Sequence, residues 1–202
     1  PKPSINPRLQ STLSTQMRSM VGSLLWLSQA TRPDLATIVS LLAQHQVNPS
    51  PQHIKAAKYA IRYVLGSKSR GISFSSKTND NLSAFLNFPV SPNKILPFTD
   101  ANWGGQDQTI PDPNNPQELM RFASRSMSGF ILHSNGPLHW VSKRQKVTAR
   151  SSAEAEIYAT DECVKELLRF QHMLTDLEIK HIYMPSTRPI EIFNDNTACI
   201  CW

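Results

Sequence analysis

Apolar positions in the first third of the chain recur three and four residues apart. This spacing predicts two amphipathic helices, over residues 17–27 and 35–42. Ser50-Pro51 is typical of a helix start, because a serine oxygen can cap the first turn and proline suits its first position. It predicts a third helix that ends near Gly66. Residues 1–15 are rich in Pro, Ser and Thr and are predicted to form an irregular lead-in.

After Gly66 the apolar pattern changes to a period of two. Short strands are predicted over residues 72–74, 82–86 and 95–99. Residues 104–118 are polar and contain several prolines, so a loop is predicted there.

The last part of the chain predicts a hairpin, a long helix and a final strand. Two strands, roughly Arg121–His133 and Leu138–Ser142, flank Asn135-Gly136, a pair typical of tight hairpin turns. A helical pattern runs from near Ser152 to near Leu177, and residues 190–194 form a last apolar run. Three antiparallel strands, a helix and another strand predict an α/β arrangement.

Charge is distributed unevenly. Residues 1–98 carry 11 Lys/Arg and 2 Asp/Glu, a net of +9, whereas residues 99–202 carry 10 and 13, a net of −3. The basic half is predicted to attract polyanions, with nucleic acid favoured over an ordinary solvated surface, and the acidic half to collect metal ions. Lys55, Lys58 and Arg62 share one face of the third helix. Alone they would form an ordinary solvated face, but with the charge of this half they predict a surface that follows phosphates.

Hydropathy and cysteine spacing argue against a membrane protein and a zinc protein. No apolar run approaches membrane-spanning length, so no membrane association is predicted. The three cysteines, Cys163, Cys199 and Cys201, form no CxxC pair. Reduced thiols in an intracellular protein are therefore predicted, and a zinc site is disfavoured.

Three acidic residues lie at the ends of separate elements. Asp100 follows the apolar run 95–99, Glu156 lies at the start of the long helix, and Asp195 ends the last apolar run. Spacings of 56 and 39 residues allow separate elements to bring the carboxylates together. Hard divalent cations prefer oxygen ligands, and a pair of them can hold both sides of a phosphodiester. The pattern predicts a metal site that acts on phosphodiesters.

Short segments in both halves resemble one family, in order along the chain. Those that resemble the tail of a copia-type retrotransposon reverse transcriptase are Arg18-Ser-Met-Val-Gly-Ser-Leu-Leu-Trp-Leu-Ser, Thr31-Arg-Pro-Asp, His53-Ile-Lys-Ala-Ala-Lys and Arg62-Tyr-Val-Leu-Gly. Those that resemble its ribonuclease H domain are Phe98-Thr-Asp-Ala-Asn-Trp, Arg125-Ser-Met-Ser-Gly-Phe, Trp140-Val-Ser-Lys-Arg-Gln-Lys, Ser151-Ser-Ala-Glu-Ala-Glu and Asn194-Asp-Asn.

The resemblance implies a domain organisation and a fold class. Residues 16–90 would be a small, mostly helical thumb or connection region of the reverse transcriptase. Residues 93–202 would form an α/β domain with a ribonuclease H-like mixed sheet, whose first three strands are antiparallel.

The resemblance also implies an activity, which is metal-dependent endonucleolytic hydrolysis of the RNA strand in RNA–DNA hybrids. Asp100 resembles the family's first-strand metal ligand, Glu156 the helix ligand and Asp195 the fourth-strand ligand, with Mg²⁺ as the ion or Mn²⁺ in its place. The implied partners are the hybrid and the rest of the retroelement polyprotein, with its polymerase, integrase and capsid parts. The implied location is a cytoplasmic virus-like particle or the nucleus.

Glu154 competes with Glu156 for the helix position. The two residues lie about 200° apart around a helix, so they cannot face the same site. Glu156 is favoured because it precedes Ile157-Tyr158-Ala159, as the family's ligand precedes a hydrophobic-x-Ala turn. Without the three-site pattern, each lone acid would be an ordinary helix-start or turn carboxylate.

The chain also carries a basic loop and departs from the family pattern. Four cations between a strand and the long helix either grip hybrid phosphates or form a merely soluble loop: Lys143, Arg144, Lys146 and Arg150. Asn102 stands where family members often have a second acid. A fourth acidic ligand is expected beyond Asp195, on a helix past Trp202.

Two other functions stay open at this point. One is a catalytically incomplete nucleic-acid-binding remnant of a decayed or truncated retrotransposon. The other keeps the fold but changes the task, since integrases and exonucleases share such carboxylate clusters. The copia-like helices before Gly66 argue against this last alternative.

Overall fold

Two units make up the chain, Pro1–Ser73 and Phe74–Trp202. The structure is a computed structural model that describes residues 7–75, 80–87, 94–104, 109–112, 115–121, 125–184 and 189–201. The predicted fold class is confirmed, because a helical region precedes an α/β unit with a three-stranded antiparallel sheet, consistent with a ribonuclease H-like region.

The first unit is helical throughout most of its described length. Its helices are α1 (Pro7–Ala30), α2 (Ala36–Ala43) and α3 (Pro51–Gly66), with a 3-10 turn, Pro33–Leu35, before α2. The predicted apolar stripes meet in one core, which consists of Met17, Val21, Leu24, Leu35, Val39, Leu42, Ile54, Ala57 and Ala60. As predicted, Ser50 caps α3, and its Oγ accepts the His53 backbone N–H at 3.4 Å.

The first helix starts earlier than its sequence suggests. It begins at Pro7, so the prediction of an irregular segment over residues 1–15 is wrong from Pro7 onward. The hydroxyls of Thr12 and Thr15 each donate to the carbonyl four residues earlier, at 3.0 Å. These bonds keep polar side chains compatible with a helix, although the same residue types favour turns when read from composition alone.

Arg32 is buried at the end of α1 and joins α1 to α3. Its guanidinium donates to both carboxylate oxygens of Asp34, at 2.9 and 2.8 Å, and to the Ser67 carbonyl at 3.1 Å. The Tyr63 hydroxyl donates to Asp34 at 2.8 Å. The hydrogen bond from Arg32 is the main cause that lowers the pKa of Asp34. The Thr31-Arg-Pro-Asp motif therefore holds the ends of two helices together.

The second unit is built on three antiparallel strands in the order β1-β4-β5. Its elements up to the sheet's last strand are α4 (Asp80–Leu86), β1 (Leu96–Asn102), β2 (Thr109–Asp112), β3 (Asn115–Arg121), β4 (Met127–His133) and β5 (Pro137–Arg144). In β1, Asp100 lies opposite Gly129 of β4. The predicted hairpin joins β4 to β5, and Asn135 adopts a φ of 53°, as tight hairpin turns require.

A long helix covers the sheet. It is α5 (Ser152–Asp176), and it starts where the Ser151 Oγ accepts the Glu154 backbone N–H at 3.1 Å. The helices α6 (Lys180–Tyr183) and α7 (Thr197–Ile200) follow. The buried core between helix and sheet consists of Ile95, Phe130, Leu132, Cys163, Leu167, Leu174 and Met184. Among the described residues, no helix combines the length and apolar character needed to cross a membrane.

Three of the short predicted elements are wrong. Residues 82–86 belong to α4 instead of a strand, because leucine and phenylalanine three and four positions apart also fit a helix in so short a run. Residues 72–74 pair with no strand among the described residues. The predicted loop 104–118 includes β2 and the start of β3, which pair as a two-stranded ribbon. Residues 122–124 of the predicted strand Arg121–His133 lie outside the described residues.

The predicted strand 190–194 is reduced to one parallel bridge between Phe98 and Phe193. The Thr99 N–H donates to the Phe193 carbonyl and the Phe193 N–H donates to the Pro97 carbonyl, both at 2.9 Å. Continuing the ladder backwards would require an N–H from Pro97, which proline lacks. The pairing therefore stops after one residue, but it still brings Asp195 beside β1.

Candidate metal centre

Three elements of the second unit bring one carboxylate each to the same place. Asp100 extends from β1, Glu156 lies in the second turn of α5, and Asp195 follows the bridge at Phe193. One carboxylate oxygen of each residue lies within 4.8 Å of the other two. Asp100 and Asp195 are exposed, whereas Glu156 is buried. The cluster therefore has an open side towards solvent and a buried side towards the helix.

Glu156 is the buried member of the cluster. Its side chain is 4% exposed, and its Oε2 accepts the Asn194 amide at 2.9 Å. Burial is the main cause that raises the pKa of Glu156, and the negative charges of Asp100 and Asp195 add to it. Hydrogen bonds from Asn194 and the Ala101 backbone act in the opposite direction. A cation at the cluster would offset both causes of the raised pKa, because it would neutralise the crowded negative charge.

The donor set suits a hard divalent cation. All three groups are carboxylates, and oxygen is the donor that Mg²⁺ and Mn²⁺ prefer. Within the described residues, neither histidine nor cysteine joins this group. The structure thus brings together the three acids predicted from the sequence, with Asp100, Glu156 and Asp195 able to hold such an ion.

Glu154 lies elsewhere, as its position on the helix predicts. Its Oε2 accepts the Arg150 backbone N–H at 2.6 Å, and its Oε1 accepts the Tyr158 hydroxyl at 3.4 Å. Its own N–H is capped by Ser151. Glu154 therefore supports the first turn of α5, where a negative charge also interacts favourably with the helix dipole.

The predicted basic residues fall into two groups, one in each unit. On α3, Lys55, Lys58 and Arg62 are exposed and, with Ile61, line one surface pocket. The guanidinium of Arg62 lies 5.7 Å from the centre of the Tyr59 ring. These three cations share one face, as predicted.

The basic loop of the second unit is not uniformly free. Lys143 forms an ion pair with Glu162 of α5, so part of its charge is already neutralised. Arg144, Lys146 and Arg150 are exposed. The structure shows no ion pair between these three side chains and a carboxylate of the described residues, so they can contact an anionic partner without first breaking one.

Two amide side chains make contacts at the site that the sequence does not predict. Asn194 bonds to Glu156, and its signals in the sequence are that it directly precedes Asp195 and belongs to the family-like segment Asn194-Asp-Asn. Gln145 is buried, and its amide nitrogen donates to the Ser128 Oγ at 2.9 Å and to the Ala155 carbonyl at 2.8 Å. It thus ties β4 to the turn of α5 that carries Glu156. Gln145 belongs to the family-like segment Trp140-Val-Ser-Lys-Arg-Gln-Lys, but the local pattern does not reveal its contacts, because its partners lie 17 and 10 residues away in sequence.

Comparisons with known proteins place the chain among retrotransposon sequences. It is 30% identical over 199 residues to the retrovirus-related Pol polyprotein from transposon RE1 of Arabidopsis thaliana, a match covering 98% of this chain and 11% of that protein. It is 30% identical over 172 residues to the corresponding polyprotein from transposon RE2 of the same plant, covering 85% and 10%. It is also 30% identical over 149 residues to secreted RxLR effector protein 161 of Plasmopara viticola, covering 73% and 86%. Neither a protein-family model nor a solved structure gives a significant match.

The fold and the cluster define a helical unit followed by an α/β unit whose three acids could bind a divalent cation. The chain belongs to the same family as these relatives. Its matches to segments of the RE1 and RE2 Pol polyproteins support a retrotransposon origin. It spans about a tenth of the length of the two Pol polyproteins.

Proposed function

We propose that the second unit is the ribonuclease H domain of a retroelement reverse transcriptase. Its reaction would be endonucleolytic hydrolysis of the RNA strand in an RNA–DNA hybrid, with Mg²⁺ or Mn²⁺. The observation that carries this proposal is the meeting of Asp100, Glu156 and Asp195, with oxygens within 4.8 Å of one another, where α5 packs against β1. Homology to Pol polyproteins supports the assignment to a retroelement.

Each acid has a distinct part in the proposed site. Asp100, Glu156 and Asp195 would hold the cations. When bound, the cations would stabilise the negative charge that builds on the phosphate oxygens. Asp100 and Asp195 are exposed, so they would lie on the side from which the phosphodiester approaches. Glu156 is buried and would hold the ion from the helix side.

The basic surfaces would contribute affinity without reading sequence. Lys55, Lys58 and Arg62 of the first unit, which we propose is the thumb or connection region, would contact phosphates. Arg144, Lys146 and Arg150 would do so beside the second unit's helix start. Such contacts release counterions, so binding would weaken steeply as salt is raised. Discrimination between RNA and DNA strands would depend on the 2′-hydroxyl and on the shape of the hybrid groove.

A cleavage assay with matched glutamates tests the function. The intact polyprotein segment that contains this chain is incubated with a hybrid that carries a labelled RNA strand, with Mg²⁺ or Mn²⁺, and products are separated on a gel. We expect metal-dependent RNA products that disappear with Glu156→Gln and with Asp195→Asn. Glu154→Gln changes a glutamate two residues earlier in the same helix and should retain cleavage within about threefold, since it faces away from the cluster. Full cleavage by Asp195→Asn would refute the metal-site assignment.

A second function is a nucleic-acid-binding remnant without catalysis. The exposed basic face on α3 favours it, because that face would bind phosphates whether or not the acids are loaded with metal. In the same assay this function predicts salt-dependent hybrid binding with no RNA products at any Mg²⁺ or Mn²⁺ concentration.

A further inference from the structure

The side chain of Asn194 bonds to all three segments that carry the acids. Its amide nitrogen donates to Glu156 Oε2 at 2.9 Å and to the Oγ1 of Thr99, the residue before Asp100, at 3.0 Å. Its carbonyl oxygen accepts the backbone N–H of Asn196, the residue after Asp195, at 2.8 Å. One amide therefore links strand, helix and loop at the residues that carry or adjoin each carboxylate.

The orientation of this amide is determined by its partners. The Asn196 N–H can only donate, so it requires the carbonyl oxygen of Asn194 on its side. An ionised Glu156 can only accept, so it requires the amide nitrogen. A rotated amide would place two acceptors together at Glu156 and two donors together at Asn196.

Two of the partners of Asn194 are buried. Thr99 is 6% exposed and Glu156 is 4% exposed. The Thr99 hydroxyl also exchanges a hydrogen bond with the Thr160 hydroxyl at 3.2 Å, which continues the connection back to α5. Leaving a buried polar group without a hydrogen-bond partner costs free energy. This arrangement therefore allows few alternative orientations of the Glu156 carboxylate.

An Asx turn alone does not account for these contacts. Such a turn needs only the bond from the Asn196 N–H to the Asn194 carbonyl oxygen. The bond to Glu156 spans 38 residues of sequence and belongs to no turn. It leaves the second carboxylate oxygen, Oε1, for other partners.

We propose that Asn194 is a positioning residue of the metal centre: it fixes the Glu156 carboxylate relative to Asp100 and Asp195 so that the three acids bind one divalent cation together. The inference rests on the proposed function, since it presupposes that the cluster binds metal. Partners that orient metal ligands from behind commonly change metal affinity by about 10- to 100-fold when removed.

Direct metal binding tests the proposal independently of catalysis. Mn²⁺ is titrated into the 202-residue chain by calorimetry, and Asn194→Ala is expected to weaken its affinity at least about tenfold. Glu154→Gln is the control, because the Glu154 carboxylate accepts the Arg150 N–H and the Tyr158 hydroxyl and does not face the cluster. It should change the affinity less than about twofold.

A double-mutant cycle separates positioning from a general structural role. If Asn194 acts through the Glu156 carboxylate, Asn194→Ala should cause less than about a twofold further loss in a Glu156→Gln background. A similar loss in both backgrounds would overturn the proposal, because Asn194 would then act on the fold or on another ligand.

A second variant covers the case in which Asn194→Ala does not fold. Thr99→Val removes the other acceptor of the Asn194 amide while keeping the side chain's shape, and should weaken Mn²⁺ binding in the same direction by a few-fold. Unchanged affinity in the folded variants would overturn the positioning role while leaving the metal site intact. Absence of Mn²⁺ binding by the unaltered chain would instead overturn the proposed function, and the positioning role with it.

Discussion

Lys143 at the end of β5 forms an ion pair with Glu162 of α5. The hydrogen bond from Lys143 is the main cause that lowers the pKa of Glu162, so the pair is charged at neutral pH. Lys146, three residues further along, is exposed. The two lysines of one loop are therefore not equally available to an anionic partner.

We expect the two lysines to differ in hybrid binding. Lys146→Ala should reduce the slope of log affinity against log salt by about one, the value for one phosphate contact. Lys143→Ala should reduce it less, because its ammonium is already partly neutralised. Fluorescence anisotropy at several salt concentrations measures both slopes. A larger effect for Lys143 would mean that the ion pair opens when nucleic acid binds.

The basic face of α3 makes a stronger prediction of the same kind. Replacing Lys55, Lys58 and Arg62 by alanine should reduce the salt slope by about 2–3, since up to three phosphate contacts are lost. A double Lys165→Ala and Arg169→Ala variant is the control, because these cations pair with acids of their own helix. An unchanged slope in the triple variant would remove α3 from the binding surface.

The carboxylate of Asp34 should stabilise the first unit in a pH-dependent way. Its folded-state pKa lies below its unfolded value, so its contribution is present above about pH 4 and is lost as pH falls through the folded-state pKa. Asp34→Asn should therefore lower the free energy of unfolding by about 1–3 kcal/mol at pH 7, with a smaller difference at pH 3. Urea unfolding followed by circular dichroism measures this. Asp176→Asn, at an exposed carboxylate of α5, is the control, and a pH-independent difference at position 34 would contradict the assignment.

Two neighbouring leucines of α5 offer a matched test of the second core. Leu167 is 5% exposed and lies in the core, whereas Leu168 is 49% exposed. Leu167→Ala should lower the free energy of unfolding by about 2–5 kcal/mol. Leu168→Ala should cost less than about 1 kcal/mol. Chemical denaturation of both variants decides the matter, and equal losses would mean that α5 packs with a different face.

The cysteines should differ in reactivity. Cys163 is fully buried, and burial is the main cause that raises the pKa of its thiol to about 12. Because the thiolate is the reactive form, Cys163 should resist a colorimetric thiol reagent in the native protein and react in urea. Cys201 is exposed and should react without denaturant. Fast native labelling that persists in a Cys199→Ser, Cys201→Ser variant would contradict the burial of Cys163.

Helical stripes and the acids were the most predictable parts of this chain. The stripes of α1 to α3 extend over many residues, so their period is unambiguous, and they form the core as predicted. The meeting of the acids was predictable because each lies near one end of a different predicted element. Residues 82–86 were not predictable, since a run of five fits both periods. The apolar pattern of residues 190–194 predicts a strand, because it does not reveal that the partner strand contains Pro97.

The roles of Asn194 and Gln145 lay beyond the sequence for another reason. An amide side chain can lie on a surface, in a turn or against a buried acceptor, so the residue type alone gives little information about its contacts. Asn194 acquires its contacts only when α5 and β1 come together. Gln145 likewise meets the Ala155 carbonyl only once β5 has ended beside the start of α5.

The single bridge at Phe193 has a consequence for solubility. A strand at the border of a sheet offers free backbone groups that can recruit a strand from another molecule and start aggregation. On its outer side β1 presents Pro97, which has no N–H to donate. The Pro97 carbonyl and the Thr99 N–H on this side are already bonded to Phe193. The segment that brings in Asp195 therefore also shields this border, and displacing it would expose a surface prone to self-association.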